Sequence, residues 1–125
     1  MRLLLVIVLG LGIACRESRP AAPSATPSSE KQPSVARSMI ASGATVIDVR
    51  TEAEYSDEHF PNAHLIPIDE LPDRIDDVAT LVQSNKTAPI VVYCASGRRA
   101  AKAQQILSHA GFTHVVNGGG LDDVR

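Results

Sequence analysis

The chain has 125 residues, a formal net charge of −2, two cysteines and four aromatic residues, none of them Trp. That length supports one domain with a modest, largely aliphatic core. A near-neutral charge without a basic stripe interleaved with aromatics argues against a nucleic-acid partner, and two cysteines are too few for a disulfide scaffold.

The chain opens with Met1-Arg2 and an uncharged apolar run, Leu3 to Ala14. This is the charged-then-apolar pattern of a secretory leader. The run is shorter than the ~20 residues that a helix needs to span a bilayer. It closes on Leu11-Gly12-Ile13-Ala14-Cys15, which resembles a bacterial lipoprotein cleavage box with Gly12 in place of the commoner Leu. That resemblance implies removal of residues 1–14 and lipidation of Cys15. The expected location is therefore the bacterial periplasm, anchored to a membrane through Cys15. Residues 15–33 read as a disordered linker, rich in Pro, Ser and Ala and without Ile, Leu, Val or an aromatic residue. The folded domain is expected over 34–125.

Within that domain, Ser34 is a candidate N-cap for a short helix over Val35, Met39 and Ile40, stopped by Gly43. Thr45 to Val49 reads as a strand. Thr51 and Glu54 form a Thr-x-x-Glu capping box that opens a short helix to about Glu58. Pro61-Asn62 is a turn, and His64 to Pro67 a short strand. Asp69 to Ser84 is helical in one or two pieces, with Leu71, Ile75, Val78 and Val82 at apolar spacing and Leu81 beside them. Ile90 to Tyr93 is a short buried strand bounded by Pro89. A helix follows, with Ala100, Ala103, Leu107 and Ala110 on one stripe and Gly111 at its stop. Phe112 to Val116 is the last expected strand, followed by a Gly118-Gly119-Gly120 turn and a polar tail. The alternation predicts an α/β fold: a single domain with a mainly parallel central sheet and helices on both faces. Cys94 then falls at the carboxyl edge of a central strand, where ligands bind in such sheets.

The loop Cys94-Ala95-Ser96-Gly97-Arg98-Arg99 carries the chemistry. Backbone N–H groups of a Gly-containing turn converge into an anion-binding concavity. The first N–H groups of the next helix lack intrahelical partners and add to it. Two Arg at a helix start oppose the helix dipole, so an anion is expected there. The setting suits a cysteine acting as a thiolate nucleophile.

Cys94-Ala-Ser-Gly-Arg-Arg99 resembles the active-site loop of the rhodanese (sulfurtransferase) family, Cys-x-x-Gly-x-Arg. Val46-Ile-Asp-Val-Arg50, Glu54-Tyr55 and His59-Phe-Pro-Asn-Ala63 are similar to the family's N-terminal signature. Val116-Asn-Gly-Gly-Gly-Leu121 is similar to its Gly-Gly segment. The motifs occur in the family's order across roughly Ser34 to Arg125. The resemblance implies a Cys94 persulfide formed from a small anionic sulfur donor such as thiosulfate, with cyanide or a thiol as acceptor. The N–H groups of Ala95, Ser96, Gly97, Arg98 and Arg99 would hold the persulfide, and Arg98 or Arg99 would meet the donor. The resemblance also implies that Asp48 and Arg50 are structural partners near the loop, and that His59 is a packing and hydrogen-bonding position. His64, His109 and His114 lack ligand-like spacing, so no metal is expected, and no cofactor. Glu58 and Asn62 stand where the family often has Gly, and the usual Trp after the Gly-Gly segment is missing.

Two other readings compete. The related dual-specificity phosphatases use Cys-x5-Arg, and counting from Cys94 that Arg position is Ala100, so the loop is one residue too short. A persulfide-relay or binding module with little thiosulfate activity is the nearer alternative.

Overall fold

The computed structural model describes residues 29–125. The leader, its cleavage site, Cys15 and the linker up to residue 28 lie outside the described residues. The elements run α1 (Pro33–Ala41), β1 (Thr45–Asp48), α2 (Glu52–Asp57), β2 (His64–Leu65), a 3-10 turn (Leu71–Asp73), α3 (Ile75–Leu81), β3 (Ile90–Cys94), α4 (Arg98–His109), β4 (Val115–Gly120) and α5 (Leu121–Val124). The four strands form one parallel sheet in the order β2-β1-β3-β4. β3 is central and buried at every position, as a strand covered on both faces must be.

Alternate residues of the strands feed two apolar layers. Ile47, Val92 and Val115 pack with Leu71, Val78, Ala100, Ala103 and Leu107 beneath α3 and α4. Val46, Val91 and Tyr93 pack with Ala36 and Val124 beneath α1 and α5. The α/β architecture is thus the expected one. The predicted α2 capping box is present, with Thr51 Oγ1 accepting from the Glu54 N–H at 3.2 Å. Asn62, where the resemblance implied Gly, takes the left-handed conformation (φ 65°) that Asn tolerates.

Three local expectations are corrected. Ser34 is not the N-cap of α1; the helix starts two residues earlier, with Gln32 at the cap and Pro33, placed in the linker by the sequence, at the first helical position. Ser29 to Gln32 form a strap on β4: Gln32 N–H donates to the Asn117 carbonyl (2.7 Å) and the Ser29 carbonyl accepts from Asn117 Nδ2 (3.0 Å). The last strand is Val115–Gly120 rather than Phe112–Val116, and the three glycines lie inside it. A bulge between Val92 and Tyr93 pairs Val92 with Asn117 and Tyr93 with Gly119. The polar tail is the short helix α5, whose Val124 is 2% exposed and closes the second layer.

Asp48 and Arg50 build a buried network on that second layer. Arg50 Nε and Nη2 donate to the Asp48 carboxylate at 2.7–3.1 Å, and Nη2 also donates to the Glu58 carbonyl at 2.6 Å. Tyr93, cross-strand from Asp48, donates its hydroxyl to Asp48 Oδ2 (2.7 Å) and accepts the Phe60 N–H (3.0 Å). Hydrogen bonding to Asp48 holds the guanidinium further into its charged range, and burial pushes the Tyr93 hydroxyl up. Tyr93→Phe leaves the Phe60 N–H without its partner and takes one donor from Asp48 Oδ2, which keeps those of Arg50. It is expected to cost about 1–3 kcal/mol, read as a lower urea midpoint; an unchanged midpoint would show that the network adds nothing net.

Candidate active site

β3 delivers Cys94 to the carboxyl edge of the sheet, and only Ala95, Ser96 and Gly97 separate it from α4. Ala95 and Ser96 are exposed, whereas Gly97 is buried. So short a reversal requires a left-handed residue, and Gly97 supplies it at φ 95°. The turn folds the start of α4 back over the sulfur. Cys94 Sγ accepts N–H hydrogen bonds from Gly97 (3.0 Å) and Ala100 (3.4 Å). Gly97 belongs to the expected donors; Ala100 lies one residue beyond them. The thiol is 1% exposed and free of any disulfide.

The two arginines part company. Arg99 turns to α2 and forms a double hydrogen bond with Glu54: Nη1 to Oε1 at 2.7 Å and Nη2 to Oε2 at 3.0 Å. Its charge is therefore paired with this chain's own carboxylate. Glu54 thus acts twice, as capping-box partner of Thr51 and as anchor of Arg99. Arg98 stands exposed with no ion pair among the described residues.

Behind the loop, the glycines of β4 make room for it. A Cβ on Gly120 would collide with the Ala95 carbonyl oxygen. Asn117, 1% exposed, donates from Nδ2 to the Gly97 carbonyl at 2.9 Å and accepts the Gly119 N–H at 2.9 Å. Neither Asn117 nor the second role of Glu54 was singled out from sequence. A polar residue ahead of three glycines was the available signal for Asn117. The Glu54–Arg99 pair spans 45 residues and leaves no local signal.

Asp48 and Arg50 lie one layer away. The Cys94 side chain packs in the α4 layer, while the Asp48–Arg50–Tyr93 network occupies the opposite face. Their contribution is to hold the ends of β1 and β3. His59 donates from Nδ1 to the Tyr55 carbonyl (2.8 Å) and stacks on the Tyr55 ring, a packing and hydrogen-bonding position. His64 borders a groove of about 410 Å³ between β2 and α3, whose lining includes no cysteine. Among the described residues no group of His, Cys, Asp and Glu is arranged to hold a metal, and no helix there is long and apolar enough to cross a membrane.

Sheet and loop together define a single-domain α/β protein built around a cysteine-bearing strand-to-helix turn. A family model for the rhodanese-like domain matches residues 32–123, and the chain belongs to that family. It is 45% identical over 78 residues to the thiosulfate sulfurtransferase PspE of Escherichia coli K12, covering 62% of this chain and 71% of that one. It is also 38% identical over 81 residues to a tRNA uridine(34) hydroxylase of Photorhabdus laumondii, but spans only 23% of that protein. Among solved structures, an E. coli rhodanese with anions aligns with TM-score 0.58 at 43% identity, over 65% of this chain and 91% of that one. A human single-domain sulfurtransferase, TSTD1, aligns with TM-score 0.56 at 27% identity, over 71% and 88%. These relatives support sulfur transfer as the general chemistry.

Arg99 drives the Glu54 carboxyl from 4.5 down to about 2, chiefly through its hydrogen bonds. A depressed carboxyl stabilises the fold above its unfolded value and loses that contribution as pH falls through the folded one. Both side chains are about a third exposed, so screening keeps the pair small. Glu54→Gln retains a capping-box residue and is expected to lower stability at pH 7 by about 0.5–1 kcal/mol. Chemical denaturation at a series of pH values should show the gap closing towards about pH 2; a gap independent of pH would show that the ion pair is not its source.

Proposed function

We propose that the protein is a sulfurtransferase of the thiosulfate type, with Cys94 as its nucleophile. The Cys94 thiolate attacks the outer sulfur of thiosulfate. A sulfur–sulfur bond forms at Cys94, the donor's own sulfur–sulfur bond breaks, and sulfite leaves with the electron pair. Cyanide or a thiolate then attacks the outer sulfur of the persulfide. Thiocyanate or a new persulfide departs, and the Cys94 thiolate is regenerated. The observation that carries this reading is the pair of N–H groups, from Gly97 and Ala100, aimed at Cys94 Sγ. Donors fixed around Sγ stabilise the thiolate that attacks and the thiolate regenerated when the outer sulfur leaves, and need no rearrangement to do so. Arg98, exposed and without an ion-pair partner, is the cation best placed to meet an anionic donor. The similarity to the E. coli thiosulfate sulfurtransferase supports the choice of donor.

Mass spectrometry of the protein after thiosulfate, and again after cyanide, tests this. Cys94 should gain one sulfur that cyanide removes as thiocyanate, and Cys94→Ser should gain none. Arg98→Ala should raise the KM for thiosulfate several-fold with little change in kcat. A parent protein that loads no sulfur from thiosulfate but loads it from a protein or low-molecular-weight persulfide would instead establish a relay role.

We also propose that the protein is exported and held on a membrane by a lipid on Cys15. The charged-then-apolar leader and the small residue before Cys15 support this. Growth with a clickable fatty acid should label the protein, and Cys15→Ser should abolish the label; equal labelling of the two would rule out this anchor.

A further inference from the structure

Asn117 makes more contacts with the sulfur-binding loop than a merely buried amide needs. Its carboxamide is fully used. Nδ2 donates to the Gly97 carbonyl (2.9 Å) and to the Ser29 carbonyl (3.0 Å), while Oδ1 accepts the Gly119 N–H (2.9 Å). Its main-chain carbonyl accepts from Gln32 (2.7 Å). Gly97 is thereby held at both ends: its N–H donates to Cys94 Sγ (3.0 Å), and its carbonyl takes the Asn117 amide along with the first helical N–H, that of Ala101 (2.9 Å). The strap closes over the same residue. A Cβ on Gly97 would lie 3.5 Å from the Lys31 Cβ and 3.5 Å from Asn117 Oδ1. Lys31 is in turn tied by its ammonium to Asp123 (3.2 Å), which accepts the Gly120 N–H (2.8 Å).

We propose that Asn117 is a positioning residue that couples the strap Ser29–Gln32 to the sulfur-binding turn, so that the grip on the Cys94 sulfur depends on the segment entering from the N-terminus. The proposal rests on Cys94 being the nucleophile of the proposed function. A buried amide that serves three segments at once fixes their mutual geometry, because moving any one of them leaves a buried polar group without a partner. Loss of the Asn117–Gly97 bond leaves the Gly97–Arg98 peptide held by the Ala101 N–H alone. The Ser96–Gly97 peptide, whose N–H points at the sulfur, is joined to it at the Gly97 Cα, where a glycine's φ and ψ are the softest in the turn. Displacements of this kind at a reacting group cost rate out of proportion to their size.

Two substitutions in the full chain separate the parts. Asn117→Asp keeps the size of the side chain and the acceptor for Gly119, but has no N–H for Gly97 or Ser29. Gln32→Pro removes the N–H that bonds the Asn117 carbonyl, and proline cannot adopt the φ of −127° found there; it leaves the turn and the Asn117 carboxamide chemically unchanged. Two quantities are read for each: hydrogen exchange at the Gly97 amide against that at Val92, deep in β3, and the single-turnover rate of sulfur loading from thiosulfate. Asn117→Asp should weaken Gly97 protection about tenfold or more and slow loading by a similar factor, with Val92 little changed. Gln32→Pro should move both quantities the same way by a smaller factor. Unchanged Gly97 protection in a folded variant would overturn the proposal. So would an equal loss at Gly97 and Val92, which reports only global stability, or a Gly97 loss without slower loading. An effect of Asn117→Asp with none from Gln32→Pro would overturn the coupling to the strap. If Asn117→Asp does not fold, Gln32→Pro decides alone. A parent that takes no sulfur from thiosulfate defeats the functional reading; the exchange comparison still decides whether the strap holds the turn.

Discussion

A three-residue reversal between β3 and α4 governs the rest of the molecule. Cys94 ends a central, fully buried strand, and Ala95, Ser96 and Gly97 must turn the chain into a helix whose first free N–H groups land on the sulfur. The turn works only if a left-handed residue occupies its last position and if the neighbouring strand yields space. Gly97 meets the first condition. The bulged, glycine-rich end of β4 meets the second, since a side chain at Gly120 would strike the Ala95 carbonyl. The electrostatics follow from the same reversal. Bringing two arginines to a helix start is unfavourable to the dipole, and Glu54 relieves it by binding Arg99 from α2. The Arg99 charge is thus paired within the fold, and Arg98 stands exposed with no ion pair among the described residues.

The two layers divide the labour. On the α3–α4 side, aliphatic packing sets the height of α4 above the sheet. On the α1–α5 side, the Asp48–Arg50–Tyr93 network and the Phe60 N–H lash the ends of β1 and β3 together. A charged pair that deep stabilises little by itself, since desolvation offsets its attraction. What it does is fix register: the strand carrying Cys94 cannot slide against β1 without breaking several hydrogen bonds at once.

How much of this was legible depended on whether the signal was local. β3, α4 and the turn between them were, because an aliphatic run, a helical stripe of alanines and Gly111 occur within one stretch. The α2 capping box was also local and is present as read. β4 was misplaced because three consecutive glycines read as a turn. They form a strand because the loop carbonyl, Val124 and Asp123 crowd them too closely for side chains. The cap of α1 is not legible locally because Ser34 has the right chemistry at the wrong position; Pro33, with φ already set for a helix, starts it two residues sooner. Glu54 with Arg99, and Asn117 with Gly97 and Ser29, join residues that meet only after the sheet has formed. No periodicity or spacing in the chain records such pairs.

Ala100 is fully buried against the sheet and also gives its N–H to the Cys94 sulfur. The same backbone atoms therefore belong to the core and to the surroundings of the Cys94 sulfur. A larger residue there would raise α4 off the sheet and withdraw a donor from the sulfur in a single movement. Small residues on this face of α4 are then a chemical requirement as well as a steric one. Sequence change in this turn has its freedom at the exposed rim, in Ala95, Ser96 and Arg98, and very little beneath it.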